Sequence, residues 1–323
     1  MVQDLTAIAR RYRTFAEVEA AQTSPHYAEL ASGVAADEEL LRFLADLPDG
    51  KRQPNLLFAA VQYLYGVPAD VAELHAWVGR DPEQVRHVLL SRATQTNEAA
   101  RCAALLPLLS SFDGPLALIE VGASAGLCLY PDRYSYAYDG RQVGGPSPVH
   151  LSTTTSGGVP VPERLPAVAA RIGIDLAPLD PGDADSRAWL RALVWPGPNG
   201  VDRLRRLEAA CEIARREPAV LLTGDARERL PEALERVPDG CTPVVFHTAV
   251  LAYLSEDDRE AFTAAVRGLP VRWIAQEAPG VVPGTGEVPG DGSWGEHFVL
   301  SLDGRPVAHT APHGGRIEWL AGA

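Results

Sequence analysis

The chain has 323 residues, 46% of them hydrophobic, and a net charge of −13. That length allows a sizeable core in one large or two modest domains. The acidic balance, with Lys51 as the only lysine and no basic tract interleaved with aromatics, repels phosphate backbones and makes nucleic acid a poor partner. Residues 1–15 lack the apolar core of a signal peptide, and no apolar run approaches the roughly 20 residues that span a bilayer. Cys102, Cys128, Cys211 and Cys241 are far apart and form no C-x-x-C pair. Neither a disulfide framework nor a metal site is expected, and the protein reads as cytoplasmic.

Residues 1 to about 112 read as helices. Between Asn55 and Tyr65, Leu56, Leu57, Ala60, Val61 and Leu64 form one apolar stripe. Val67-Pro68-Ala69-Asp70 breaks it, and Pro82 opens the next helix. Gln95, Asn97, Glu98 and Arg101 then form a polar cluster beside apolar sequence. Asn97 and Arg101 are i and i+4 and would share a helical face. Two readings stay open: a surface ion pair with a cap, or a polar patch turned toward the next domain's pocket. Cys102 to Leu109 has helical spacing, which Pro107 should bend or end.

Leu116 to Val121 is an apolar run ending in Glu120-Val121-Gly122-Ala123-Ser124-Ala125-Gly126. It predicts a buried strand, a tight turn of small residues and a following helix. Small residues let a ligand approach the backbone, free N–H groups can face polar atoms, and Glu120 can accept hydroxyls. The pattern E-x-G-x-S-x-G resembles the nucleotide loop of class I S-adenosylmethionine (SAM)-dependent methyltransferases, with Ser124 in place of the middle glycine. The resemblance implies that Glu120, Gly122, Ser124 and Gly126 contact the cofactor. The same residues are also G-x-S-x-G, the nucleophile elbow of α/β-hydrolases, with Ser124 as nucleophile. Position argues against that: this is the first strand, and no HGGG-type sequence precedes it. A strand–turn–helix packed through small residues is the plainest reading.

Tyr130 to Asp139 alternates aromatic and polar residues and reads as a strand. The Gly/Pro/Ser/Thr-rich stretch after it suggests an inserted hairpin and loops over about 134–168. Ala169 to Pro178 reads as the second sheet strand, ending at Asp175. In methyltransferases the acid at that place holds the ribose. Asp139 fits the roughly 20-residue spacing of the related dinucleotide fold better, but Asp175 fits the local sequence and is preferred. Asp183 to Arg216 is helical, interrupted at Trp195-Pro196-Gly197-Pro198.

Pro218 to Ala226 is the third strand and its end. Gly224-Asp225-Ala226 resembles the methyltransferase position whose acid meets the adenine amine and whose next N–H, here of Ala226, meets a ring nitrogen. An Asx turn or cap is the alternative. Thr242 to His247 is the fourth strand, with His247 as a candidate general base. Ser255 caps the next helix, with acids in its first turn. Val271 to Gln276 is the fifth strand, ending at Glu277. Residues 280–295 read as a mobile loop. His297 to Leu302 and Pro306 to His309 flank Asp303-Gly304, a hairpin signal. His313, in Pro312-His313-Gly314-Gly315, either reaches the pocket or is turn chemistry.

Taken jointly, QTNE at 95–98 with Arg101, EVGASAGL at 120–127, GIDLAP at 173–178, VVFHTAVLAYL at 244–254 and PHGG at 312–315 resemble an uncharacterised bacterial family. That resemblance implies a methyltransferase-like domain. The expected architecture is an all-helical domain over 1–112, then a Rossmann-like α/β domain over 113–323. Its mostly parallel sheet should have seven strands, the last pair a hairpin. Ligands of such sheets bind at the carboxyl ends of the strands. Glu120, Asp175, Asp225, His247 and Glu277 all fall at such ends, which argues for one site. The leading expectation is SAM-dependent methyl transfer to a small molecule or protein. His247 or Glu277 would be the base, and the helical domain would close over the site through Asn97 and Arg101. The alternatives are a Ser124 hydrolase and a non-catalytic ligand-binding or scaffold protein. No membrane association is expected, and a homodimer is left open.

Overall fold

The computed structural model describes residues 2–95, 97–285 and 297–322. The chain forms two compact units: Met1–Thr96 with Asp183–Glu208, and Asn97–Gly182 with Ala209–Ala323. This differs from the expected boundary near 112. Residues 97–112 belong with the sheet, and 183–208 with the helices.

The smaller unit begins with α1 (Val2–Thr14), α2 (Pro25–Val34), α3 (Glu38–Ala45), α4 (Pro54–Tyr65), α5 (Val71–Arg80) and α6 (Pro82–Ser91). Their starts are written locally. Asp37 accepts from the N–H groups of Glu39 and Leu40, Asp70 accepts from Glu73, and proline opens α2, α4 and α6. The stripe on α4 is buried at Leu56, Leu57, Ala60 and Val61, and Phe58 and Ala59 are buried too. That makes α4 a central helix. Helix α7 (Cys102–Leu109) belongs to the larger unit; α8 (Ala184–Ala192) and α9 (Gly200–Arg216, as far as Glu208) complete the smaller one. Trp189 on α8 donates to the Ala93 carbonyl, and Trp195 packs on Phe15 and Tyr27, which holds 183–208 to the early helices.

Every residue of α7 is buried, Pro107 included. Pro107 neither ends nor breaks the helix. A proline has no N–H to donate to the carbonyl four residues back. Here that carbonyl, of Ala103, instead accepts from the Tyr138 hydroxyl at 2.7 Å.

The larger unit is built on an eleven-stranded sheet. Its strands are β1 (Leu116–Val121), β2 (Ser135–Tyr138), β3 (Arg141–Val143), β4 (His150–Ser156), β5 (Val168–Asp175), β6 (Val220–Thr223), β7 (Thr242–Thr248), β8 (Arg272–Glu277), β9 (Phe298–Leu302), β10 (Arg305–Thr310) and β11 (Arg316–Trp319). The order is β3-β2-β4-β11-β10-β9-β8-β7-β1-β5-β6. Strands β6, β5, β1, β7 and β8 are parallel. Strand β1, in the middle of these five and apolar but for Glu120, is buried throughout, as expected when both faces are covered. Helices α10 (Ala226–Glu235) and α11 (Glu256–Arg267) cover one face, with Ile119, Val121, Val245, Trp273, Leu230 and Phe262 in one core.

Seven strands were too few. The stretch 134–168 supplies β2, β3 and β4, and β4 pairs parallel with β11 across a separation no local pattern encodes. The aromatic residues of this stretch are anchors. Tyr134, Tyr136 and Tyr138 are buried and donate to the carbonyls of Leu127, Pro131 and Ala103. The β9–β10 hairpin turns at Asp303 (φ 51°) and Gly304 (φ 78°), as the Asp-Gly pair indicates. It is not the last pair, because β11 follows. No α-helix follows the glycine loop. Short 3-10 turns at Leu127–Leu129 and Pro131–Arg133 stand there. Buried Asp132 ties them to Arg171 of β5 by two hydrogen bonds of 2.7 and 2.8 Å. Most of the expected 280–295 loop lies outside the described residues.

Candidate functional site

The glycine loop turns on three left-handed residues: Gly122 (φ 69°), Ser124 (φ 51°) and Gly126 (φ 67°). Ser124 thus takes a conformation that favours glycine. Most of the loop's donors are held within the chain. Gly122 and Ala123 donate to the Ile174 carbonyl, Ser124 to Asp175 Oδ2 at 2.7 Å, Gly126 to the Ala123 carbonyl, and Leu127 to Asn97 Oδ1 at 3.3 Å. Gly173 on β5 has no Cβ where the loop crosses it; one there would overlap Ala123 and Leu221. A Cβ on Gly122 would overlap a methyl of Val250.

Glu120 is 4% exposed, and its Oε2 has no hydrogen-bond partner among the described residues. Burial pushes its carboxyl well above the usual carboxylate range; Cys128 and Asp175 add to this, while the Arg101 guanidinium opposes it. Ser124 Oγ is also buried without a partner among the described residues. A serine nucleophile needs a base within hydrogen-bond reach, and none of the described residues stands so at Ser124.

Asp175 holds the loop, accepting from Ser124 and from the Ala177 N–H at 2.8 Å. Asp139 sits elsewhere, in the turn between β2 and β3, where its carboxylate accepts from the Thr155 N–H and hydroxyl. Asp225 follows β6 and caps α10, of which Ala226 is the first residue. It accepts from the Arg227 N–H at 2.9 Å and pairs with the Arg227 guanidinium, which holds its carboxyl below the usual range.

His247 is 0% exposed. Its Nε2 accepts from Trp273 Nε1–H at 3.1 Å, so Nδ1 carries the proton and donates to Glu277 Oε1 at 2.6 Å. With both ring nitrogens engaged, His247 has no lone pair for a substrate. Glu277 Oε1 also accepts from Val250 N–H at 2.8 Å and Leu251 N–H at 3.1 Å, and Oε2 is buried without a partner. Successive strand residues face opposite ways. Phe246 is in register with Glu120, so His247, the next residue, faces away from Glu120 toward Phe262 of α11. The five strand-end groups therefore do not converge. Glu120 lies on one face of the sheet; His247 and Glu277 lie on the other.

The polar cluster before β1 is part of the larger unit. Arg101, 5% exposed, donates through Nε to the Pro312 carbonyl and through Nη1 to Thr248, with Phe298 against its guanidinium at 5.7 Å. Asn97 supports the glycine loop. His313 is exposed in its turn, which meets the cluster through backbone: a Cβ on Gly314 would overlap the Ala100 carbonyl. Gln276 and Thr310 escaped the sequence reading. Gln276 is fully buried and donates to Thr310 Oγ1 at 2.8 Å, with its Oε1 unpartnered among the described residues. A glutamine inside an apolar strand was the available signal. Among the described residues, no group of three or more His, Cys, Asp or Glu side chains could hold a metal ion, and no helix is long and apolar enough to cross a membrane.

These features define a mixed α/β protein with a large, mostly parallel sheet and unsatisfied buried polar groups at its strand ends. The chain belongs to a bacterial family described as "uncharacterized protein conserved in bacteria (DUF2332)", which matches residues 9–319. No curated protein matches it. A crystal structure of an "exported protein" candidate from Bordetella parapertussis is similar at 14% identity, covering 85% of this chain and 70% of that one, with a TM-score of 0.27; that likeness carries no argument.

Proposed function

We propose that the larger unit is a Rossmann-like domain of the methyltransferase type that binds SAM or a close relative. The observation that carries this reading is Glu120, a buried carboxyl at the end of β1 with an oxygen that has no partner among the described residues. Buried polar groups normally find partners, so an orphan at a strand end speaks for a ligand. The order β6-β5-β1-β7-β8 adds support: the chain reverses its direction of sheet growth between β1 and β7, where open α/β sheets take their ligands.

The side chains fit such a ligand. Glu120 and Ser124 offer oxygens to hydroxyl or amine donors, and Asp225 Oδ2, which accepts one N–H from the described residues, keeps acceptor capacity. The loop backbone contributes less, since its donors named above already have partners. When bound, SAM would supply an electrophilic methyl group, and these residues would bind and orient it. His247, with both ring nitrogens engaged, does not serve as a base. The same saturation favours a second reading, ligand binding without turnover. The acceptor would be a small molecule or a protein, and the four cysteines, none in a disulfide, suit a reducing, cytoplasmic setting.

Calorimetric titration with SAM and S-adenosylhomocysteine tests the reading. Wild type should bind, and Glu120→Gln and Asp225→Ala should each bind about tenfold more weakly. A folded wild type that binds neither ligand overturns it.

A further inference from the structure

We propose that Glu277 is a positioning residue whose carboxylate seats Val250 in the crevice between β1 and β7, and that Val250 sets ligand access to the glycine loop. The ligand arm of the test rests on the SAM reading; the positioning itself does not.

The crevice at the strand-order reversal is bounded by the loop after β1 and the turn after β7. In this protein the second fills the first. The half-buried Val250 side chain takes the space that Gly122 leaves open for want of a Cβ. The turn carrying Val250 is fixed from below. Glu277 Oε1 accepts three hydrogen bonds, from His247 Nδ1, Val250 N–H and Leu251 N–H. Ala249 donates to the Gln276 carbonyl at 2.9 Å and adopts φ 56°, a left-handed conformation rare for a residue other than glycine. Such a conformation persists where its surroundings over-determine it. Trp273 orients His247, so Trp273, His247 and Glu277 form one buried chain ending on the turn. Two residues that look catalytic in the sequence thereby act on loop shape. Any ligand group approaching Gly122 must displace the Val250 methyls, and the size of residue 250 selects what enters.

The test uses the full chain as wild type, Val250→Ala and Glu277→Gln, with amide hydrogen exchange and titration with S-adenosylhomocysteine. Val250→Ala should speed exchange of the Gly122 to Leu127 amides and bind the ligand about tenfold more tightly. Glu277→Gln should speed exchange at 248–251 and also at 122–127, with the outer strands unchanged. Unchanged exchange at 122–127 in Val250→Ala overturns the positioning. So does Glu277→Gln exchange that rises evenly across the sheet, the mark of a purely structural role. Ligand binding with equal affinity to wild type and Val250→Ala overturns the access role. If no protein binds the ligand while the exchange effects appear, the SAM reading fails and the positioning stands. Should Glu277→Gln not fold, Glu277→Asp, whose shorter carboxylate cannot hold the same three donors, takes its place with the same pattern expected and the same even rise overturning the positioning.

Discussion

The Tyr138 hydroxyl donates to the Ala103 carbonyl, the acceptor that Pro107 leaves without its helical donor. One strand of the inserted segment thus repairs a gap in a helix that precedes β1. Tyr138→Phe should strip this buried carbonyl of its partner and cost about 1–3 kcal/mol in urea unfolding. In a Pro107→Ala background the helix regains its own donor, so the same change should cost less. Equal costs in both backgrounds would refute the compensation.

The Arg171–Asp132 pair should be the most sensitive ion pair in the larger unit. Both side chains are buried, and the guanidinium also donates to the Leu129 carbonyl at 2.6 Å while lying over the Tyr130 ring. Removing one partner leaves the other charge buried, a loss of about 3–5 kcal/mol. Asp132→Ala should therefore lower the unfolding midpoint far more than Glu212→Ala, whose exposed pairs with Arg215 and Arg216 are worth little. Arg171→Lys should not rescue, since an ammonium cannot reproduce the two-pronged contact.

How far the sequence foretold this structure varies with the range of the interaction. The Asp303-Gly304 turn, the Ser255 cap on Asp258 and the parallel strands ending at Asp175 and Glu277 all have local causes, and all were readable. That α7 runs two residues past Pro107 is not legible locally, because the donor that replaces the missing N–H comes from Tyr138, beyond any helical window. The strand count failed because β4 finds β11 only after the chain closes. His247 looked like a free base because its partner Trp273 sits on another strand. Strand-end position was legible; the face on which each side chain lay needed the register.

Ser124 allows a sharper test of the rival chemistry. Its Oγ has no partner among the described residues and its backbone is left-handed. Ser124→Gly should relieve a conformational cost and leave stability within about 1 kcal/mol of wild type, or above it. Fluorophosphonate probes should leave Ser124 unlabelled by mass spectrometry. A stoichiometric adduct there would revive the hydrolase.

Glu120 should make stability fall as pH rises. Its carboxyl is raised in the folded chain by burial first, from an ordinary value of 4.5, so the folded state holds a proton that the unfolded state releases. Where the unfolded chain binds fewer protons than the folded one, stability decreases with pH. The loss begins near pH 4.5 and continues until the folded carboxyl itself ionises. Glu120→Gln removes the titration while keeping the shape. The variant should gain on wild type in melting temperature between pH 4.5 and neutrality, most at the upper end. A difference in melting temperature that stays flat over that interval would mean that Glu120 keeps an ordinary carboxylate environment. Its unpartnered oxygen would then no longer argue for a ligand.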